Sequence, residues 1–185
     1  MLVSEREFVI LDPRAASGVS ITPYELRAEV TKPGLRVALV SNGFYDATNL
    51  QKAVGEALQP ALNNPVSTIY ARLDASVTAP PEVIAEAARD NDVAITALGH
   101  CGSCTSSATR DAVALARAGI PVCVLISEKF YEMSGFVART AGMPNLPRLK
   151  LPHPVAGTGA PRIAEIAGGA VPAILSLWEG RHVGT

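Results

Sequence analysis

The sequence predicts an α/β protein: a single doubly wound, flavodoxin-like parallel sheet of about five strands with helices on both faces, plus an N-terminal arm. The chain has 185 residues, of which 48% are hydrophobic and 18% charged, so it suits one domain with a substantial core. From residue 35 onward, short apolar runs alternate with longer segments of helical periodicity. This alternation is the pattern of a parallel sheet that is covered on both faces.

The first half of the regular region predicts three strands and two helices. Residues 35–43, "LRVALVSNG", are an apolar strand that ends in an Asn-Gly turn. Residues 47–62 carry apolar residues at helical spacing, and residues 66–73, "VSTIYARL", are the second strand. Residues 80–91 begin with the prolines that favour a helix start, and residues 92–100 are the third strand.

The second half predicts three helices and two strands. Residues 106–119 are a helix with a hydroxyl cap at its start and a glycine at its end. Residues 120–130 are a fourth strand rich in β-branched residues. A helix over 131–142 and a short strand over 147–154 follow it. Residues 161–180 are the last helix, and a glycine pair and a proline inside it predict a bend or a break.

An arm and a tail flank this region. Residues 1–33 are a predicted extension, with one short strand at "EFVILDP" and a polar linker that ends on Pro33-Gly34. The α/β domain then spans residues 34–180, and residues 181–185 are a tail. Right-handed crossovers predict the strand order 2-1-3-4-5.

Charge and hydropathy argue against two classes of partner. The net charge is −1 and no basic stripe is present, so we expect no nucleic acid. No apolar run approaches the roughly 20 residues that span a bilayer, so we expect no membrane. The first residues, "MLVSEREFVILDPR", lack the basic and then apolar pattern of a secretory signal, which predicts a cytoplasmic protein.

Polar side chains gather where the predicted strands end. The third strand leads into "GHCGSCTSSATRD", which holds Cys101 and Cys104. Other strands end at Asn42-Gly43, at Glu128 and at His153. Because ligands of doubly wound sheets bind beyond the carboxyl ends of the strands, we expect the functional site at this edge.

The residue types at this edge suggest thiol chemistry. A helix start lowers the pKa of a thiol, and histidines carry protons, so the predicted catalytic residues are Cys101, Cys104, His100 and His153. Main-chain amides at a helix start suit an anion, and those of Thr105 and Ser106 are the main candidates. The predicted substrate-binding set adds residues of the turns at this edge and consists of Asn42, Gly43, Gly102, Ser103, Thr105, Ser106 and Glu128.

Structural alternatives stand beside these roles. The cysteines can form a simple turn, His100 can bond a loop carbonyl, and His153 between two prolines can stiffen a turn. The third cysteine, Cys123, lies inside a predicted strand and is expected in the core.

The stretch "CGSCTSSATRDAVALARAGIPV" resembles the UGSC family of (seleno)proteins, as do "GLRVALVSNG", "ISEKF", "AGMPNLP" and "LPHPVAG" in the same order. The resemblance covers residues 35–178. It places Cys101 at the selenocysteine position of that family and Cys104 at the partner cysteine. It therefore implies nucleophilic or redox chemistry at Cys101.

A weaker likeness leads to a different superfamily. "SCTS" at a helix start is similar to the cysteine loops of the aspartate/glutamate racemase and maleate isomerase superfamily, where a thiolate acts on a carboxylate substrate. Those enzymes take two cysteines from two lobes. Since this chain has one lobe, that likeness implies that a partner subunit supplies the second cysteine.

Three functional hypotheses follow. The favoured one is a thiol enzyme without a cofactor, of the thiol–disulfide type, in which Cys101 attacks a small anionic or electrophilic molecule and Cys104 is the partner thiol. A non-redox lyase, isomerase or hydrolase is its variant. The second is a metal enzyme with zinc, iron or copper on Cys101, Cys104 and a histidine, His153 or His100. The third is a subunit of a homo- or hetero-oligomer that completes a shared active site.

Overall fold

Five strands form one parallel sheet in a computed structural model that describes residues 19–181. The strands are β1 (Arg36–Ser41), β2 (Val66–Ala71), β3 (Val93–Gly99), β4 (Val122–Ser127) and β5 (Arg148–Leu151). Their order across the sheet is β2-β1-β3-β4-β5. The predicted fold class and the predicted strand order are both confirmed.

Five α-helices cover the two faces of this sheet. They are α1 (Ala47–Leu58), α2 (Pro81–Asp90), α3 (Gly102–Arg117), α4 (Tyr131–Thr140) and α5 (Ala160–Trp178). Helices α1 and α5 pack with one set of sheet residues, while α2, α3 and α4 pack with the other. A short 3-10 turn at Glu128–Phe130 joins β4 to α4.

The central strands β1, β3 and β4 are mostly apolar because helices cover both of their faces, and the buried Thr96 of β3 donates its hydroxyl to the Ala108 carbonyl. Alternate side chains point to opposite faces of a strand, so a strand buried on both faces needs no polar alternation. In β1, Val37 and Leu39 belong to the α1–α5 core, whereas Ala38 and Val40 belong to the core under the other three helices.

Two predicted helix features were wrong. Helix α3 begins at Gly102 rather than at residue 106, and its cap is Cys101 rather than a hydroxyl residue. Helix α5 runs from Ala160 to Trp178 without a break, although it contains Pro172. Pro172 lies on the exposed side of α5, where water can satisfy the carbonyl group that a proline leaves unbonded.

Residues 19–33 contain no helix or strand and pack back on the amino end of the sheet, instead of leading away as a linker. The Tyr24 hydroxyl accepts the Val122 N–H at 2.9 Å, and the Ala28 N–H donates to the Trp178 carbonyl at 2.8 Å. The strand predicted at "EFVILDP" lies outside the described residues. Within residues 19–181, no helix has both the length and the apolar character needed to cross a bilayer.

Candidate functional site

The cysteine loop follows β3 at the carboxyl edge of the sheet. Strand β3 ends at Gly99, and α3 begins at Gly102, so only His100 and Cys101 separate them. Gly99 is required here because a Cβ at this position would collide with the Ile126 side chain of β4. The sharp passage from strand to helix therefore places both cysteines at the start of α3.

The two cysteines close the first turn of α3 through each other. The Cys101 sulfur accepts the Cys104 N–H at 3.2 Å. In return, the Cys104 sulfur accepts the Cys101 N–H at 2.7 Å and the His100 N–H at 3.2 Å. This is a reciprocal capping box in which two sulfurs take the places that a hydroxyl and a carboxylate usually hold.

The two thiols differ in exposure and in proton affinity. Cys101 is partly exposed, whereas Cys104 is fully buried, and both are free thiols. Partial burial raises the pKa of Cys101, but hydrogen bonds from Cys104 and Ser103 outweigh this and hold it below its usual value. Burial, and then the Cys101 sulfur, raise the pKa of Cys104 to about 12. The loop therefore pairs a partly exposed thiol of lowered pKa with a buried thiol that stays protonated at neutral pH.

Cys123 takes no part in this loop. It lies in β4, is fully buried in the α1–α5 core, and has a raised pKa because of that burial. The prediction that Cys123 is a core residue is confirmed.

His100 stacks between two rings beside the loop. Its ring centroid lies 5.4 Å from that of Phe44 and 4.6 Å from that of His153. Its Nε2 accepts the Val155 N–H at 3.1 Å. Because an amide can only donate, Nε2 carries a lone pair and the proton of the neutral ring is on Nδ1. Burial, and then the nearby His153, lower the pKa of His100.

His153 is held from the far side by Ser127. The Ser127 hydroxyl lies 2.9 Å from the His153 Nδ1, and Ser127 itself is fully buried at the end of β4. Nothing within residues 19–181 bonds the other ring nitrogen, Nε2. The structure thus places all four predicted catalytic residues at one edge of the sheet, where the two imidazoles stack on each other and the His100 main-chain N–H donates to the Cys104 sulfur.

Asn42 lies beneath the loop rather than in contact with solvent. It is fully buried, and its Nδ2 donates to the carbonyls of Leu98 and Cys104 at 3.1 Å each. Its Oδ1 accepts the N–H groups of Leu98 at 3.0 Å and of Phe44 at 3.2 Å. Asn42 therefore ties the end of β1 to the cysteine loop, and its predicted contact with substrate stays a prediction.

The other predicted substrate-binding residues are spread over this edge. Gly43 has φ +80° and faces the Arg72 carbonyl so closely that a Cβ would collide with it. Ser103 and Glu128 are exposed, while Gly102 and Ser106 are half-buried. Thr105 is fully buried and points away from solvent.

The expected role of the Thr105 amide has to be corrected. Its N–H donates to the Cys101 carbonyl at 3.1 Å, because α3 starts earlier than the sequence predicts. With Gly102 as first residue, Ser106 also lies beyond the first turn. The amides that lack an acceptor within the helix are those of Gly102 and Ser103. An anion at this helix start would meet these two amides.

Three further residues of this edge follow predicted strands but are not in the predicted site set. Ser127 holds His153, Phe44 stacks on His100, and Asp46 accepts the Gly157 N–H at 2.8 Å and so ties down the loop that carries His153. Ser127 ends a predicted strand at the correct edge, which is a signal that sequence analysis can use. The stacking of Phe44 depends on tertiary packing and leaves no pattern in the sequence.

A cavity of about 690 Å³ lies at the opposite end of the sheet. Its lining includes Tyr24, Tyr131, Arg148 and Arg181, and none of the predicted catalytic residues. Cys101 and Cys104 therefore lie away from this cavity.

The residues that the structure describes include no group of three His, Cys, Asp or Glu side chains arranged to hold a metal ion. The alternative ligand set of Cys101, Cys104 and His153 stays a prediction.

Two comparisons place the chain among known proteins. The family model described as the UGSC family matches residues 9–180. No curated protein shows a significant sequence match to the chain.

Proposed function

The chain belongs to the UGSC family, and we propose that it is a thiol–disulfide oxidoreductase that acts on a small electrophilic or anionic molecule. Cys101 is the nucleophile and Cys104 is the partner thiol. The observation that carries the proposal is the capping box at the start of α3, which holds a partly exposed thiol of lowered pKa against a fully buried thiol of raised pKa.

The first step uses the Cys101 thiolate. It attacks one sulfur of a small disulfide, a new S–S bond forms, and the old S–S bond breaks. The electron pair of the broken bond leaves with the departing thiolate. The Gly102 and Ser103 amides and the α3 dipole favour an anionic group on the molecule that enters.

The second step uses the buried thiol. Cys104 attacks the Cys101 sulfur, which forms the Cys101–Cys104 disulfide and breaks the bond between Cys101 and the substrate sulfur. The second thiolate departs with the electron pair of that bond and takes up the proton that Cys104 loses. The substrate disulfide gains two electrons and becomes two thiols, and the protein dithiol is oxidised. An external thiol reductant restores the dithiol by the same exchange in reverse.

His153 is the proposed proton carrier. Ser127 fixes its Nδ1, which leaves Nε2 for transfer to a leaving group. His100 is less suited to this role because its Nε2 is held by the Val155 amide. We expect His153→Ala to change the pH profile of the exchange reaction, and an unchanged profile would leave His153 with a structural role.

The proposal is tested by intact mass and peptide mapping of the reduced full chain after mild oxidation. The probes are glutathione disulfide, which is anionic, and hydroxyethyl disulfide, which is neutral. We expect the chain to lose two hydrogens and to contain a Cys101–Cys104 disulfide, faster with the anionic probe. Cys104→Ser should instead accumulate a mixed disulfide on Cys101, and Cys101→Ser should form no adduct.

Cys123→Ala is the matched control, since Cys123 is a buried core thiol away from the loop. It should react like the unmodified chain. Fast alkylation of Cys101 without an internal disulfide would contradict the redox proposal and favour a non-redox thiolate lyase, isomerase or hydrolase. A reactive Cys101 in a chain that cycles only with another subunit present would favour a shared active site.

A further inference from the structure

Strand β2 leaves one row of main-chain groups unpaired within residues 19–181. It is an edge strand and pairs with β1 alone. The Val66 N–H donates to the Leu35 carbonyl and the Arg72 N–H to the Ser41 carbonyl. Every second residue of β2, counted from Val66, therefore directs its N–H and C=O groups at β1. The N–H and C=O groups of Ser67, Ile69 and Ala71 therefore point to the open side.

This edge lacks the features that prevent edge-to-edge pairing. Such features are charged side chains, prolines and bulges. Strand β2, "VSTIYA", has no charged residue and no proline, and its side chains Val66 and Ile69 are exposed. Leu73, which follows β2, is fully exposed.

The opposite edge of the same sheet is protected. Strand β5 carries two cationic residues, Arg148 and Lys150, within four residues. A proline precedes each edge strand, Pro65 before β2 and Pro147 before β5, so the two edges differ in charge. Of the two sheet edges within residues 19–181, only the β2 edge combines free main-chain groups with exposed apolar side chains and no charged residue in the strand. This contrast indicates that β2 is covered in the working protein.

We propose that β2 pairs antiparallel with β2 of a second copy of this chain, about a two-fold axis at Ile69. In this register Ile69 lies opposite Ile69 of the second copy, and Ser67 lies opposite Ala71. Side chains that face each other then lie on the same side of the joined sheet, as an axis normal to the sheet requires.

A second copy fits this edge because the edge is complementary to itself. In this register Ile69, an exposed apolar side chain, meets its own counterpart across the axis, while Val66 lies opposite Arg72 and Leu73 lies opposite Pro65. No charge meets a like charge along the strand. Arg72 turns inward, where its guanidinium lies 2.7 Å from the Asp111 carboxylate.

The pairing gives the assembly a definite shape. The two sheets become one continuous sheet, and their carboxyl edges point in opposite directions because the strands are antiparallel. Each copy keeps its own cysteine loop at its own end. The proposed dimer therefore does not depend on the proposed thiol chemistry.

The mass of the full chain in solution, from light scattering after size exclusion, is the first test. We expect a dimer, and we expect Ile69→Lys and Ile69→Pro to halve the mass while the circular dichroism stays unchanged. Proline is tolerated at this position because its missing N–H points away from β1. Met133→Lys is the control, since Met133 is an exposed apolar residue on α4; it should remain dimeric.

Crosslinking tests the register. Residues that form a hydrogen-bonded antiparallel pair have Cα atoms about 5.5 Å apart, within reach of a disulfide. Ile69→Cys should give a covalent dimer on oxidation, mapped to residue 69, and Val66→Cys should not. A monomeric chain, or a dimer that survives Ile69→Lys and Ile69→Pro, would overturn the proposal.

Discussion

Cys101 and Cys104 show how two identical side chains acquire opposite chemistry three residues apart. Both sulfurs bond main-chain N–H groups at the start of α3, so the helix start alone does not distinguish them. Burial does: Cys104 has no exposed surface, and the charged thiolate is penalised where water is excluded. The order of the motif, with the exposed cysteine first, therefore sets which sulfur has the lowered pKa.

The stacked imidazole of His100 gives a prediction about pH. Burial, and then its neighbour His153, lower the pKa of His100. The unfolded chain thus binds this proton more readily, and stability is lost as the pH falls through the ordinary imidazole range toward the folded value. We expect His100 to titrate below a free histidine when its ring protons are followed by nuclear magnetic resonance.

His153→Phe is the matched variant for this measurement. It keeps a ring against His100 but removes the neighbouring charge, so the pKa of His100 should rise toward its usual value. A His100 that titrates normally in the unmodified folded chain would contradict the geometry described here.

At the scale of the element, α3 is the helix whose cap is also the proposed nucleophile. Replacing an N-cap side chain by alanine costs about 1 kcal/mol of stability. We expect Cys101→Ala to lower the free energy of unfolding by about this amount, since the Cys104 N–H then loses its acceptor. Cys101→Ser keeps an acceptor atom and should stay closer to the unmodified chain.

Urea denaturation of the two variants measures this difference. The comparison separates the structural role of Cys101 from its chemistry, because both variants lack the thiol. Equal losses of stability in the serine and alanine variants would show that the cap contributes nothing.

The elements also show what the sequence reveals and what it hides. Apolar runs such as "PVCVLI" predict β4, and alternation of strands and helices predicts the sheet order and the edge that holds the cysteines. The sequence places the start of α3 too late because cysteine is not among the usual cap residues, and Ser106 is the residue that resembles a usual helix cap. The roles of Asn42 and Ser127 depend on partners more than 20 residues away, which no local pattern records.

At the scale of the whole molecule, residues 19–33, which precede β1, pack as part of the domain. Tyr24 both accepts the Val122 N–H and donates to the Val122 carbonyl at the start of β4. Burial raises the pKa of Tyr24 to about 12, so its hydroxyl stays protonated at neutral pH. The Tyr24 side chain thus ties residues 19–33 to β4, the strand beside the edge strand β5.

Removal of this hydroxyl should destabilise the whole domain. Tyr24→Phe leaves the buried Val122 N–H without its acceptor, a loss of about 1–3 kcal/mol. Urea denaturation followed by the emission of Trp178, the single tryptophan, measures it. Tyr45→Phe is the control, because Tyr45 is exposed and its hydroxyl faces water; an equal effect of both variants would contradict an anchoring role for Tyr24.

Because the Cys101 sulfur caps α3, the backbone hydrogen bonding at the start of this helix depends on the chemical state of that sulfur. A mixed disulfide or an alkyl group on Cys101 turns its sulfur into a neutral and therefore weaker acceptor for the Cys104 N–H. We therefore expect an adduct at Cys101 to weaken the hydrogen bond that caps the first turn of α3. Hydrogen–deuterium exchange at the Cys104 amide would then follow the chemistry directly, before any substrate is known.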